Sequence, residues 1–195
     1  MIVHTQLNDG TPICIREVRG DDEARLRKGI AELSQRSRYL RFFSGMREPP
    51  QNVLNALLDV DGHEHMAWGA LAEELPGDPA LGIVHAFRDK DDRKVAEFSI
   101  GVIDAYHGKG LARILTAMLL LDCEREGLDT LGVHVLAENE AALSLTRSLG
   151  GEYAGQDRGV MHFTIAIPQA LSVLRAEKDV PGLADVFAQW EQREG

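Results

Sequence analysis

VAEFSIGVIDAYHGKGLARILTAMLLLDCEREG, residues 95–127, changes its period halfway along, and the fold turns on that change. Between Val95 and Ile103 the side chains alternate. Ala96, Phe98, Ile100 and Val102 share one face, with Val95, Glu97, Ser99 and Gly101 on the other, which predicts a strand. From Gly110 to Glu126 an apolar run predicts a long helix, closed by Gly127 just beyond its end. Between them stands Gly108-Lys109-Gly110. Two readings of that turn are open. Glycine gives a tight strand-to-helix connection its backbone freedom. It also lets an anion approach the unpaired N–H groups of Gly108 to Arg113 at a helix N-terminus, with Lys109 and Arg113 adding charge. Known phosphate loops fit poorly. The spacing lacks the Walker pattern, and Arg113 stands where a dinucleotide fingerprint needs a third glycine.

Outward from this stretch, TPICIREV (11–18) reads as a first strand and residues 20–37 as a helix with acids in its first turn. PPQNVLNALLDV (49–60) reads as a shorter helix. His65–Leu71 and Leu81–Phe87 are strands separated from their neighbours by PGDP and RDKDDRK, both turn-forming. After the long helix come a strand (131–136), a helix from 138 to 151 with Asn139 as its N-cap, and one or two strands ending in VMHFTIAI (160–167). Leu183, Val186, Phe187 and Trp190 then mark an amphipathic tail helix. The order implies an α/β fold: a mixed, largely antiparallel sheet, one parallel strand–helix–strand crossover and helices on both faces. The expected organisation is one domain over 1–167 with a helical extension of the same domain over 168–195.

The 195 residues are 44% hydrophobic and 27% charged, ordinary for a globular chain, with a net charge of −10. That charge argues against general binding to nucleic acid or anionic membrane. Cys14 and Cys123 make no disulfide framework. The start MIVHTQLNDG lacks the features of a signal peptide, and no apolar run approaches the roughly 20 residues of a membrane span. The expected location is cytoplasmic.

VIDAYHGKGLA (102–112) resembles motif A of the GNAT acyltransferase superfamily, Q/R-x-x-G-x-G/A, with His107, Gly110 and Ala112 in the three places. NEAALSLTRSLGG, from Asn139, resembles its motif B. The likeness covers about Thr11 to Ile167. TPICIREVRGDDEARL, LSQRSRYLRFFSG and AEFSIGVIDAYHGKGLAR look like stretches of bacterial protein-lysine acetyltransferases.

This resemblance implies acetyl-CoA as co-substrate and no metal. Pantetheine would lie between two splayed strands against the backbone of Ile100 and Val102. The amides of His107, Gly108, Lys109, Gly110, Leu111, Ala112 and Arg113 would receive the diphosphate. Asn139 would stand near the pantetheine arm, a role compatible with its reading as an N-cap. Glu97, the one ionisable side chain between Lys94 and Asp104, matches the family's general base. An amine (pKa about 10.4) must lose a proton before it attacks a thioester, and an ordinary carboxylate near 4.3 is a weak base for that work. Thr146 occupies the place where many members carry a tyrosine that protonates the thiolate, so no general acid is identified. A thiol near 8.5 leaves with little help. The implied function is N-acetylation of an amine, most simply a protein lysine. A small-molecule amine, and a non-catalytic acyl-CoA sensor, are the alternatives. A homodimer is possible, since the tail helix closes either this core or a second copy.

Other residues read as structural. Asp59, Asp61, His63, Glu64 and His65 match no ligand spacing. Cys123 reads as core, and His85, His134 and His162 as packing or surface groups. Arg36, Arg38, Arg41 and Arg47 with Tyr39, Phe42 and Phe43 form a basic, aromatic patch, read as aromatics packed under solvated arginines, or else a grip for an acidic protein surface or a CoA phosphate.

Overall fold

The computed structural model describes residues 1–43, 48–72 and 74–194. Eight strands form one sheet, ordered β1-β2-β3-β4-β5-β6-β8-β7. They are β1 (Ile2–Gln6), β2 (Pro12–Glu17), β3 (His65–Leu71), β4 (Ala80–Arg88), β5 (Val95–Val102), β6 (Thr130–Leu136), β7 (Glu152–Asp157) and β8 (Val160–Ala166). The described helices are α1 (Glu23–Glu32), α2 (Gln35–Phe42), α3 (Gln51–Leu58), α4 (Leu111–Arg125), α5 (Glu140–Ser148), α6 (Ile167–Ala176) and α7 (Gly182–Glu194). Among the described strands β5 and β6 are the one parallel pair of neighbours, and the helix α4 makes the crossover that a parallel pair requires. The other neighbours are antiparallel.

The alternation read in β5 sorts its two faces. Ala96 and Phe98 are buried in one apolar cluster with Val84 and Ala86 of β4 and the buried face of α4. The opposite face carries α1 and α3, whose Leu26, Ile30, Leu54 and Leu57 pack with Ile83 and Phe87. Helices therefore cover both faces. The larger cluster reaches from Val3 of β1 to Trp190 of α7. Thr5 Oγ1 donates to the Asp185 carboxylate at 2.8 Å, tying the first strand to the last helix.

Three elements depart from the reading above. The edge strand β1 was not anticipated, since only Val3 and Thr5 of its five residues are buried and its apolar signal is short. The single helix expected over 20–37 is broken at Leu33, whose extended backbone (φ −62°, ψ 140°) lets Ser34 start α2 by accepting the Ser37 N–H. Finally, VMHFTIAI ends as a strand at Ala166, and Ile167-Pro168 opens the unexpected α6. Proline suits a first helical turn, where its missing N–H costs nothing. No helix among the described residues is long and apolar enough to cross a membrane.

Trp190 is 3% exposed and meets Trp68 edge-on at 6.3 Å. Trp190→Ala is expected to lower the unfolding free energy by about 3–5 kcal/mol in urea denaturation, the usual cost of emptying an aromatic core site.

Candidate active site

β5 and β6 pair over only four residues, from Val95–Thr130 to Phe98–Val133. Beyond that point each keeps its outer partner: β5 stays on β4 to Val102, and β6 stays on β8 to Leu136. The sheet opens between them. The Val95 carbonyl accepts from Asp89 and the Ile103 N–H donates to Leu81, so the odd-numbered residues of β5 turn their backbone groups toward β4. By the alternation of strands, Ile100 and Val102 then direct theirs into the gap. The Thr130 N–H donates to Lys94. The same alternation turns the backbone of His134 and Leu136 inward from the other side. The result is a cleft of about 920 Å³.

At one end of the cleft lies the glycine turn. A short 3₁₀ turn (Asp104–Tyr106) leads to Gly108 (φ 71°) and Gly110 (φ 85°), both left-handed. A Cβ on Gly110 would also lie 2.8 Å from Asn8 Oδ1 and from Val180, so that position admits glycine alone. Among the described residues, no backbone N–H from Gly108 to Arg113 donates to a backbone carbonyl; the first N–H engaged in α4 is that of Ile114, bonded to Gly110. Six adjacent donors at the positive end of a fifteen-residue helix make an anion site of the kind a diphosphate fits.

The cations near the turn are already engaged. Lys109 Nζ sits 2.9 Å from Asp9 and over the Tyr106 ring, outside the cleft lining. The hydrogen bond from the Thr11 hydroxyl, followed by that from Lys109, holds the Asp9 carboxyl down to about 2. Arg113 does line the cleft but pairs with Glu177 at 3.3 Å. The His107 backbone N–H, expected to meet the diphosphate, instead closes the 3₁₀ turn by donating to the Asp104 carbonyl at 3.2 Å. His107 Nε2 lies 2.9 Å from the Val102 carbonyl, so that nitrogen carries its proton and donates. One of the two carbonyls assigned to pantetheine is thus occupied by the protein itself, leaving Ile100 and the Val102 N–H.

Asn139 is the N-cap of α5: its side-chain oxygen accepts the Ala142 N–H at 3.1 Å, and its amide nitrogen remains beside the cleft. Leu111 and Ala112 contribute to the cleft wall, as does Thr146, which is 3% exposed. Glu97 stands at the point where the strands part, its side chain 60% exposed. His134 Nδ1 is 3.5 Å from its Oε1, and His162 meets the His134 ring edge-on at 4.6 Å. Gly132, opposite Glu97 on β6, carries no side chain that would separate them. Expected to stand singly, these histidines are linked: the i, i+2 step from Gly132 brings His134 to Glu97, and the pairing of β6 with β8 brings His162 to His134.

α2 spans the mouth of the cleft. Ser34 Oγ, Ser37 Oγ and the Ser34 N–H all donate to Asp104 at 2.8–3.0 Å, and Arg36 reaches the Glu138 carbonyl at 3.5 Å. Burial would raise the Asp104 carboxyl, but the serine hydrogen bonds outweigh it and hold it below the ordinary value. The patch on α2 divides: Arg36 is exposed and Phe42 packs against the α1–α3 cluster as expected, whereas the other members exchange places. Arg38 is buried and donates to the Leu33 and Ala31 carbonyls, while Tyr39 and Phe43 are 41% and 48% exposed; Arg47 lies outside the described residues. Burial lowers Arg41 to about 10, against the opposing charge of Glu97.

The remaining candidates are consumed structurally. Asp61 accepts the N–H groups of His63, Glu64 and His65, Glu64 pairs with Arg93, and His65 bonds the Asp59 carbonyl. Among the described residues no three metal-ligating side chains converge. Cys123 is fully buried, and burial pushes its thiol far up, away from nucleophilic use.

Residues 29–150 match the Acetyltransferase (GNAT) family. Acetyltransferase Pat of Mycolicibacterium smegmatis is 27% identical over 166 residues, covering 85% of this chain but 49% of that protein, so the chain spans about half its length. Acetyltransferase PA5475 of Pseudomonas aeruginosa is 30% identical over 150 residues, 77% of this chain and 79% of that one. The crystal structure of the GNAT domain of S. lividans PAT superposes with a TM-score of 0.77 at 20% identity, covering 85% of this chain and 96% of that one.

Two outcomes follow from the charges. Glu177→Gln frees Arg113 and removes a carboxylate beside the turn, and calorimetry should show CoA bound about two- to fivefold more tightly. Asp104 has a folded pKa below 3.8, so its contribution to stability is complete above that value and is lost as pH falls through the lower folded one. Asp104→Asn should therefore be less stable than wild type at neutral pH, with the difference closing in acid below the carboxylate range.

Proposed function

Because the chain belongs to the acetyltransferase (GNAT) family, we propose that it transfers an acetyl group from acetyl-CoA to an amine, the acceptor being a lysine side chain of a protein. The observation that carries the reading is the opening of the sheet after Phe98 and Val133, with an unpaired amide corner at one end and Glu97 at the point of divergence.

Bound acetyl-CoA supplies an activated thioester. The protein's own groups do the rest. The amides of Gly108 to Arg113 hold the diphosphate, and the backbone of Ile100 with the Val102 N–H aligns the pantetheine arm as an added strand would be aligned. The Asn139 amide nitrogen borders the same channel. Glu97 accepts the proton that an acceptor ammonium must lose before its nitrogen can attack. Thr146 is buried in the cleft wall, and no side chain of the site is assigned the reverse task of protonating the departing thiolate.

A protein lysine is favoured over a free polyamine by the charges around Glu97. The Arg41 guanidinium acts on Glu97 from α2 and the His134 ring stands 3.5 Å from its carboxylate, an approach shaped for one ammonium rather than for a multiply charged amine.

Glu97→Gln is expected to lower kcat for acetyl transfer at least about a hundredfold, the usual scale for removing a general base. Affinity for CoA should stay within a factor of two in calorimetry, because the substitution lies away from the amide corner. Unchanged turnover in that variant would remove Glu97 from the chemistry.

A further inference from the structure

The chain carries a net charge of −10, yet α2 has the sequence QRSRYLRF, with three arginines and no acid. Arg38 is spent inside, on the carbonyls at the end of α1. Arg36 and Arg41 are not. Among the described residues no carboxylate lies within ion-pairing distance of either, in a protein where Arg16, Arg25, Arg27, Arg93, Arg113, Arg125 and Arg175 each pair with one. Arg36 makes only its long contact with the Glu138 carbonyl. Both arginines line the cleft beside Glu97, and so does Phe43. Arg36, Tyr39 and Phe43 fall at i, i+3 and i+7, one face of the helix, and the two aromatic rings are among the most exposed apolar groups of the chain.

We propose that this ridge of α2 is the docking surface for the acceptor protein, and that it selects a lysine flanked by aspartate or glutamate. The inference rests on the amine-acetylation reading and names its substrate class. Arg41 lies over the Phe42 ring at 4.9 Å, but neither guanidinium has an internal carboxylate, so both gain most from one brought by another chain, and bidentate pairing gives that contact direction. Exposed aromatic rings beside arginine are the side chains that interfaces favour at their centres. Charge also works against the alternative. A lysine with basic neighbours meets Arg36 and Arg41 at the moment its ammonium must reach Glu97. The rest of this acidic chain repels an acidic partner, as do Glu138 and Glu140 where they line the cleft, so attraction is confined to the α2 side and steers the lysine along it.

The test uses the full chain, acetyl-CoA and two peptides that differ only in the residues on either side of one lysine, glutamates in one and lysine-free basic residues (arginines) in the other. At low salt the wild type is expected to show a kcat/KM at least about fivefold higher for the glutamate-flanked peptide, with the preference shrinking as salt screens the rim. Arg36→Glu should reverse the preference while leaving CoA affinity within a factor of two. A fall in CoA affinity accompanying the loss of Arg36 would assign that arginine to the cofactor's phosphates and overturn the proposal. So would equal kcat/KM for the two peptides in the wild type, or acetylation of spermidine with neither peptide modified. Equal rates would leave N-acetylation itself standing, whereas no transfer to any amine, with CoA still bound, would strike the underlying reading instead.

Discussion

Backbone groups that lack partners inside the protein govern this structure. A sheet normally satisfies every N–H and C=O of its inner strands. Here two central neighbours are each fully paired on their outer sides and paired with one another for only four residues. The remainder of β5 and β6 is an edge inside the sheet, and such an edge is a template for an extended ligand. The glycine turn continues the same condition into α4, whose first N–H groups likewise find no backbone carbonyl. Strand edge and helix terminus form one line of donors and acceptors, and a molecule with amides followed by a diphosphate matches it in order.

The termini of the chain hold that line in place. The Asn8 N–H donates to the Lys109 carbonyl, and the Asn8 amide donates to the Asp179 carbonyl, so the loop after β1 and the connection between α6 and α7 close around the turn. Gly110 sits between Asn8 and Val180 with no space for a side chain. Asp104, on the other side of the turn, anchors α2 through Ser34 and Ser37. Helix α2 and the glycine turn are therefore fastened to the same short stretch, Asp104 to Gly110. Glu177, paired with Arg113 at 3.3 Å, places a carboxylate beside that corner, and on the proposed reading its charge weakens the hold on phosphate.

Much of this was legible in the chain. The period change at 103–110 announces a strand, a turn and a helix, and the residue faces of β5 follow directly from its alternation. Gly127 and Asn139 do at their helix ends what their chemistry predicts. What escaped reading depended on contacts between distant segments. β1 has two buried residues and acquires its place from β2 and α7. The break at Leu33 is visible only once Ser34 is seen to bond Asp104, seventy residues away. His134 and His162 look unrelated until the β6–β8 register places them opposite each other. Aromatic and basic residues on α2 gave no sign of which would be buried, because helical spacing alone does not say which side faces the sheet.

The most direct test of the account is amide hydrogen exchange, residue by residue, with and without CoA. Saturating CoA is predicted to slow exchange at Ile100, at Val102 and from Gly108 to Arg113, since those N–H groups pass from solvent to ligand. Unchanged exchange across both stretches, with protection appearing elsewhere in the chain, would contradict it.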